Sequence, residues 1–407
     1  MASFNLLILF FAFMFISGSN AIISHTSFDP LLLPVIKDSA TLQYMIHINQ
    51  GSPRISVKLV VDLGGPFLWV ECDLINHASF SYRPVQSRSI QCAAATSYDS
   101  PQSKKLGCNQ SSCGLVLENP ITGTITEGQL VEDTVELDSA VVVDRFLFSC
   151  APTLLLKGLA NGVKGIAGLG RRSRIALPFQ LGSSHKFAIC LSSSTTSNGV
   201  ILFGDVPFSF HPNIDVSKLL VYTQLVVDSS DEYFIGVKSV KIDGRQLSIK
   251  INGGTKLSTV IPYTTLETSV YKTFTRAFIT AAINGYNMTR VASVAPFETC
   301  FSSKNLSRTQ IGIAVPTIDL VLQSEMVNWR IYAQNSMIRV GDDVVCLGFL
   351  NGGSKQRTSI VLGGGQLEDN LLEFDIATSR FGFSSSLLIR QTMCSRFKYP
   401  FMSRGIS

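Results

Sequence analysis

Apolar and polar positions alternate at strand period along most of this chain. Residues 38–48 alternate, meet the turn residues Asn49-Gln50-Gly51-Ser52-Pro53, and return through 55–61. The return ends in Val60-Val61-Asp62-Leu63-Gly64-Gly65-Pro66-Phe67-Leu68-Trp69-Val70. This pattern predicts a strand, a glycine turn holding one carboxylate, and a second strand. Further strands are predicted over 146–150 and 315–322, and 233–244 reads as a strand and turn. Helical spacing is clearest over 270–283, where Val270, Phe274, Phe278 and Ala281 form an apolar stripe. The expectation is a mostly β protein with a few short helices.

The chain has 407 residues, 45% of them apolar and 15% charged, enough for two domains with their own cores. Residues 1–21 read as a signal peptide: residues 6–16 are continuously apolar, and Ser19-Asn20-Ala21 offers a small-residue cleavage site. A leader over 22–37 is expected next. A first half over 38–210, a second over 211–395 and a basic tail over 396–407 follow. The junction between the halves is placed where Pro207, Pro212 and Asn213 interrupt the strands.

Chemistry narrows the picture. The net charge is +5 with no dense Lys/Arg run, which argues against nucleic acid and suits an acidic protein or polysaccharide. No later stretch reaches the length of a membrane span. The sequons at Asn109, Asn287 and Asn305, with nine cysteines, suit an oxidising secretory route. The cysteines lack a paired C-x-x-C spacing and the five histidines are scattered, so neither a metal nor a cofactor is expected.

A strand that delivers Asp62 into a glycine turn resembles the active-site loop of pepsin-like aspartic proteases. Gly165-Ile166-Ala167-Gly168-Leu169-Gly170 is similar to the segment beneath that loop. Residues 361–370 and 374–383 are similar to the family's C-terminal end. The resemblance covers about 38–395 and implies a bilobal pepsin-like fold. Leu63 and Gly65 stand where that family carries hydroxyls. In Ser258-Thr259-Val260-Ile261-Pro262-Tyr263, Ser258 falls at the second catalytic Asp position and Val260 at the turn glycine. Residues 128–137 resemble the return strand of the flap, yet no Tyr occurs between Tyr98 and Tyr222. Aspartic proteolysis needs two carboxylates sharing one proton, so the resemblance implies an inactive homologue. Asp62 then reads as a structural relic, or as part of a residual binding cleft.

The motifs Asp62-Leu63-Gly64-Gly65, Cys150-Ala151-Pro152, residues 258–267 and Leu367-Glu368-Asp369-Asn370 resemble a narrower group. That group is the plant proteinase-like inhibitors of cell-wall-degrading glycosidases, with the xyloglucan-specific endoglucanase inhibitors, extracellular dermal glycoproteins, basic 7S globulins and wheat-type xylanase inhibitors. It implies a secreted, apoplastic partner of a microbial endo-glucanase or xylanase. The implied inhibitory loops carry Arg308 and Gln310 in one segment and Arg390 and Gln391 in the other. The family's reaching arginines align with Gln310 and Gln391, and Arg308 and Arg390 lie beside them. The resemblance also implies the disulfides Cys300–Cys346 and Cys190–Cys394; Cys72–Cys150 is a reasonable third pair, which leaves Cys92, Cys108 and Cys113 as an odd set. Two alternatives stay open: a weak or atypical aspartic endopeptidase, and a wall or storage protein that binds a peptide or polysaccharide.

Overall fold

The computed structural model describes residues 31–72, 79–97, 111–138, 141–181, 185–204, 208–210, 214–304, 306–309 and 311–397. The expected signal peptide, residues 22–30 of the leader and residues 398–407 of the tail lie outside the described residues.

Strands dominate, as the alternation requires. Fourteen of them form one long sheet. Its middle runs Lys186–Cys190, Gly199–Phe203, Leu31–Lys37, Tyr44–Gln50, Ile55–Asp62, Gly165–Gly168, Trp69–Glu71 and Val141–Ala151. The last seven residues of the expected leader are therefore a strand. Leu31, Leu33 and Val35 are buried, and the strand pairs with Gly199–Phe203 on one side and Tyr44–Gln50 on the other. The turn at 38–41 comes from Asp38, whose carboxylate accepts the Thr41 N–H and hydroxyl, each at 2.7 Å.

The two halves are not separate sheets. Leu371–Asp375 pairs with Lys186–Cys190, so a C-terminal strand completes the sheet of the first half. The Cys190–Cys394 disulfide joins the same two parts of the chain. Lys37 and Glu368 form an ion pair at 2.6 Å, and Tyr44 donates to Glu368 at 2.6 Å in the interior. The start of the tail is also packed: Phe397 is buried and its ring meets Phe210 edge to face.

Four disulfides are present: Cys72–Cys150, Cys92–Cys113, Cys190–Cys394 and Cys300–Cys346. Cys92 and Cys113, two of the odd set, pair with each other; Cys108 lies outside the described residues.

The helix extends over Thr268–Tyr286, longer than expected at both ends. Glu267 caps its N-terminus by accepting the Ser269 N–H at 2.9 Å, and Asn287 ends it in a left-handed conformation. Val270, Tyr271, Phe274, Thr275, Phe278 and Ala282 are buried; the stripe closes on Ala282, and Ala281, expected in it, is half-buried. Each large apolar side chain so buried contributes roughly 1.5–3 kcal/mol.

Candidate functional site: a cleft with one carboxylate

The local topology occurs twice. In the first half, Ile55–Asp62 runs parallel to Gly165–Gly168, which is antiparallel to Trp69–Glu71, which is parallel to Val141–Ala151. In the second, Thr255–Leu257 runs parallel to Ile360–Leu362, which is antiparallel to Thr264–Leu266, which is parallel to Phe349–Asn351. Asp62 is the residue opposite Gly168 at the end of the first parallel pair. In the second, Leu257 is opposite Leu362, and the following residue is Ser258, whose N–H donates to the Leu362 carbonyl at 2.9 Å. The repeat thus puts Ser258 at the register of Asp62.

Gly165 and Gly168 allow this crossing. A Cβ on either would overlap a carbonyl oxygen of the opposing chain, Trp69 or Phe67 respectively. The close approach lets Leu169 donate to the Asp62 carbonyl at 2.9 Å and Gly170 to the Gly65 carbonyl at 2.8 Å.

Asp62 is 9% exposed. Its Oδ1 accepts the Gly64 N–H at 2.9 Å. Burial pushes its carboxyl up to about 6, against the opposing pull of the Lys256 charge and the Gly64 hydrogen bond. Lys256 is paired with Glu232, which also holds Arg357 at 2.7 Å. Leu63 points into the main core instead of presenting a hydroxyl. Thr259 is the only one of the two equivalent positions that carries one: its Oγ1 accepts the Leu63 N–H at 3.0 Å and donates to the Val61 carbonyl at 2.7 Å.

A cleft of about 460 Å³ opens at this point, lined by Asp62, Gly65, Phe67, Glu118, Glu232 and Lys256 among others. Its other wall is the hairpin of Gly114–Asn119 with Thr124–Asp138. Asn119 anchors the hairpin tip. Its side chain accepts the Ile121 and Thr122 N–H groups and donates to the Leu155 and Lys157 carbonyls. Lys256, Glu232, Arg357 and Glu118 escaped sequence reasoning, although a lysine two residues before Ser258 was a visible signal. Among the described residues, no group of three or more His, Cys, Asp or Glu is arranged to hold a metal.

The other sequence-selected residues lie apart from this cleft lining. Arg308 is exposed in a small hairpin, Arg308–Thr309 with Gly312–Ile313, beside a groove of about 420 Å³ that Arg339 also lines. Arg390 ends the short helical turn Leu387–Arg390, and Gln391 follows it exposed and left-handed, at φ 56°. Asn287 and Thr289 are exposed. Gln310, Asn109 and Asn305 lie outside the described residues.

Two lobes with a repeated active-site topology and a carboxylate on one side only define an aspartic-protease-like protein. The family model described as xylanase inhibitor N-terminal matches residues 44–205, and that described as xylanase inhibitor C-terminal matches 232–385. The chain belongs to this xylanase inhibitor family. It is 48% identical to the probable aspartic proteinase GIP2 of Nicotiana benthamiana, over 96% of this chain and 97% of that protein. It is 40% identical to gamma conglutin 1 of Prunus dulcis, over 91% and 89%. The crystal structure of edgp superposes with a TM-score of 0.84 at 50% identity, covering 91% of this chain and 98% of that one. The crystal structure of basic 7S globulin from soybean gives 0.79 at 36%, covering 90% and 98%.

Proposed function

We propose that this protein is a secreted, catalytically inactive protease homologue that inhibits a microbial cell-wall-degrading endo-β-1,4-glucanase or xylanase by occluding its cleft. The observation that carries this reading is a serine, Ser258, at the strand position of the second half that corresponds to Asp62 in the first, within a chain whose halves both match xylanase inhibitor models. Asp62 alone has no second carboxylate with which to divide the roles of acid and base, and a serine hydroxyl cannot supply either near neutral pH. Loss of one member of such a pair costs on the order of 10⁴-fold.

Inhibition is a matter of surface chemistry. A retaining glycosidase presents two carboxyl groups roughly 5–5.5 Å apart. A guanidinium fits them through charge-assisted hydrogen bonds. Arg308 and Arg390 are exposed, on surface segments. Secretion, glycosylation at Asn109, Asn287 and Asn305, an apoplastic location and a role in plant defence belong to the same reading. The test is binding of a target glycosidase to wild type and to the Arg308→Ala/Arg390→Ala double variant. At least a tenfold loss is expected; unchanged affinity would remove both arginines from the mechanism.

Two specific observations favour other readings. Asp62 and the name of the Nicotiana relative favour an atypical aspartic endopeptidase. Peptide turnover that is lost in Asp62→Ala would establish it. The globulin and conglutin likenesses favour a wall or storage protein, which saturable peptide or polysaccharide binding without glycosidase inhibition would establish.

A further inference from the structure

The cleft at Asp62 is locally acidic in a basic protein. Asp62, Glu118, Asp231 and Glu232 line it against Lys256 and Arg357, four carboxylates to two cations, in a chain of net charge +5. The two cations are both taken up by Glu232. Asp231 is occupied by the N–H groups of Arg172 and Ser173, at 2.9 and 2.8 Å. Asp62 and exposed Glu118 are left facing the opening.

Asp62 is nine-tenths buried, and its Oδ2 accepts no hydrogen bond from the described residues. A Cβ at Gly65 would lie 3.0 Å from both Oδ2 and the Gly168 Cα, so glycine is what fits there, and it sets no side chain between that oxygen and the cleft. The neighbouring strand Gly114–Asn119 has Thr124–Asp138 as its only strand partner among the described residues. Its second edge offers backbone groups to an extended chain. Pro66, Phe67 and Val116 supply apolar wall for a methylene stem.

We propose that this cleft binds the arginine or lysine side chain of an extended peptide and holds it without cleaving it. The cation completes the open Oδ2 and is attracted by Glu118, while the peptide backbone pairs with the free edge of Gly114–Asn119. This site is separate from the surface arginines and stands whether or not the protein inhibits a glycosidase. It also gives the retained Asp62 a use that needs no second carboxylate.

The test is calorimetric titration of the secreted, full-length protein with blocked hexapeptides that differ only in one central residue: arginine, norleucine or glutamate. The arginine peptide is expected to bind at least tenfold tighter than the norleucine peptide, with glutamate weakest, and mass spectrometry should recover it intact. Asp62→Asn should abolish most of that preference, and Glu118→Gln, on the exposed hairpin, should reduce it several-fold if the first variant folds poorly. From pH 7.5 to 5 the preference should shrink in wild type as Asp62 takes up its proton in the field of Lys256, Glu232, Glu118, Asp231 and Arg357. Equal affinity for arginine and norleucine peptides, no binding at millimolar peptide, a preference unchanged in both variants, or cleavage of the peptide would each overturn the proposal.

Discussion

The Thr259 hydroxyl accepts the Leu63 N–H at 3.0 Å and is the side-chain link between the two equivalent turns. It also donates to the Val61 carbonyl at 2.7 Å, so one oxygen ties the two halves of the chain together at the cleft floor. The repeated topology makes position 63 the counterpart of 259, but leucine cannot return the hydrogen bond, and the grip is one-sided. Thr259→Val keeps the shape and removes both bonds, leaving the Leu63 N–H buried and unpaired. Urea unfolding should show a loss of about 1–3 kcal/mol. A change within error would mean that the turns are held by their backbone bonds alone.

The buried Asp62 sets a pH dependence of opposite sign to that of a salt-bridged carboxylate. Its carboxyl is pushed up to about 6 in the fold, so the folded chain binds the proton more tightly than the unfolded one, whose Asp titrates at about 3.9. The stabilisation this gives is full below pH about 4 and is lost as pH rises through about 6. Asp62→Asn removes the dependence. Measured against wild type, its stability should rise between pH 4 and 6 and level off on the order of 1–3 kcal/mol higher. Thermal melts from pH 3.5 to 8 check this, and a pH-independent difference would contradict the burial argument.

Gly165→Ala and Gly168→Ala should each prevent folding, read as loss of soluble protein on expression. The added methyl overlaps a backbone carbonyl in the crossing that carries Asp62, which no side-chain rearrangement can relieve. Gly123→Ala, where a Cβ meets nothing within 4 Å, is the comparison at a surface turn; its φ of 66° costs about 1–2 kcal/mol.

The fold class and the Asp62 turn were legible because both rest on local chemistry: strand alternation, a glycine turn, and glycines spaced for close approach. The strand Leu31–Lys37 was not. Leu31-Leu32-Leu33-Pro34 shows no alternation, and its partners at 199–203 are far away in sequence. The same non-locality hid the contribution of Leu371–Asp375 to the first sheet and the convergence of Glu232, Lys256 and Arg357 on Asp62. Single charges give no sign of their neighbours until the chain is folded. Ser258 could be assigned from the sequence only by counting from Leu266 and Tyr271, because no glycine or carboxylate marks that turn; in the fold its N–H donates to the Leu362 carbonyl just past the second parallel pair.

The disulfide Cys190–Cys394 closes 204 residues and pins the segment that holds Arg390 and Gln391. Chain-entropy reasoning gives it up to about 5 kcal/mol. Cys190→Ala/Cys394→Ala should unfold at markedly lower urea and expose the 387–397 segment to protease first. Peptide mapping of the intact protein should recover the four pairs, and with nine cysteines in the chain only Cys108 should alkylate without reduction.

The most direct measurement is titration of the purified full-length protein, expressed through a plant secretory pathway, against a panel of microbial xyloglucanases and xylanases, following release of reducing sugar, with the same preparation assayed for peptide turnover. Stoichiometric loss of activity in one enzyme class, with no pepstatin-sensitive peptide cleavage, is the expected result. Untouched glycosidases together with peptide cleavage that disappears in Asp62→Ala would contradict it.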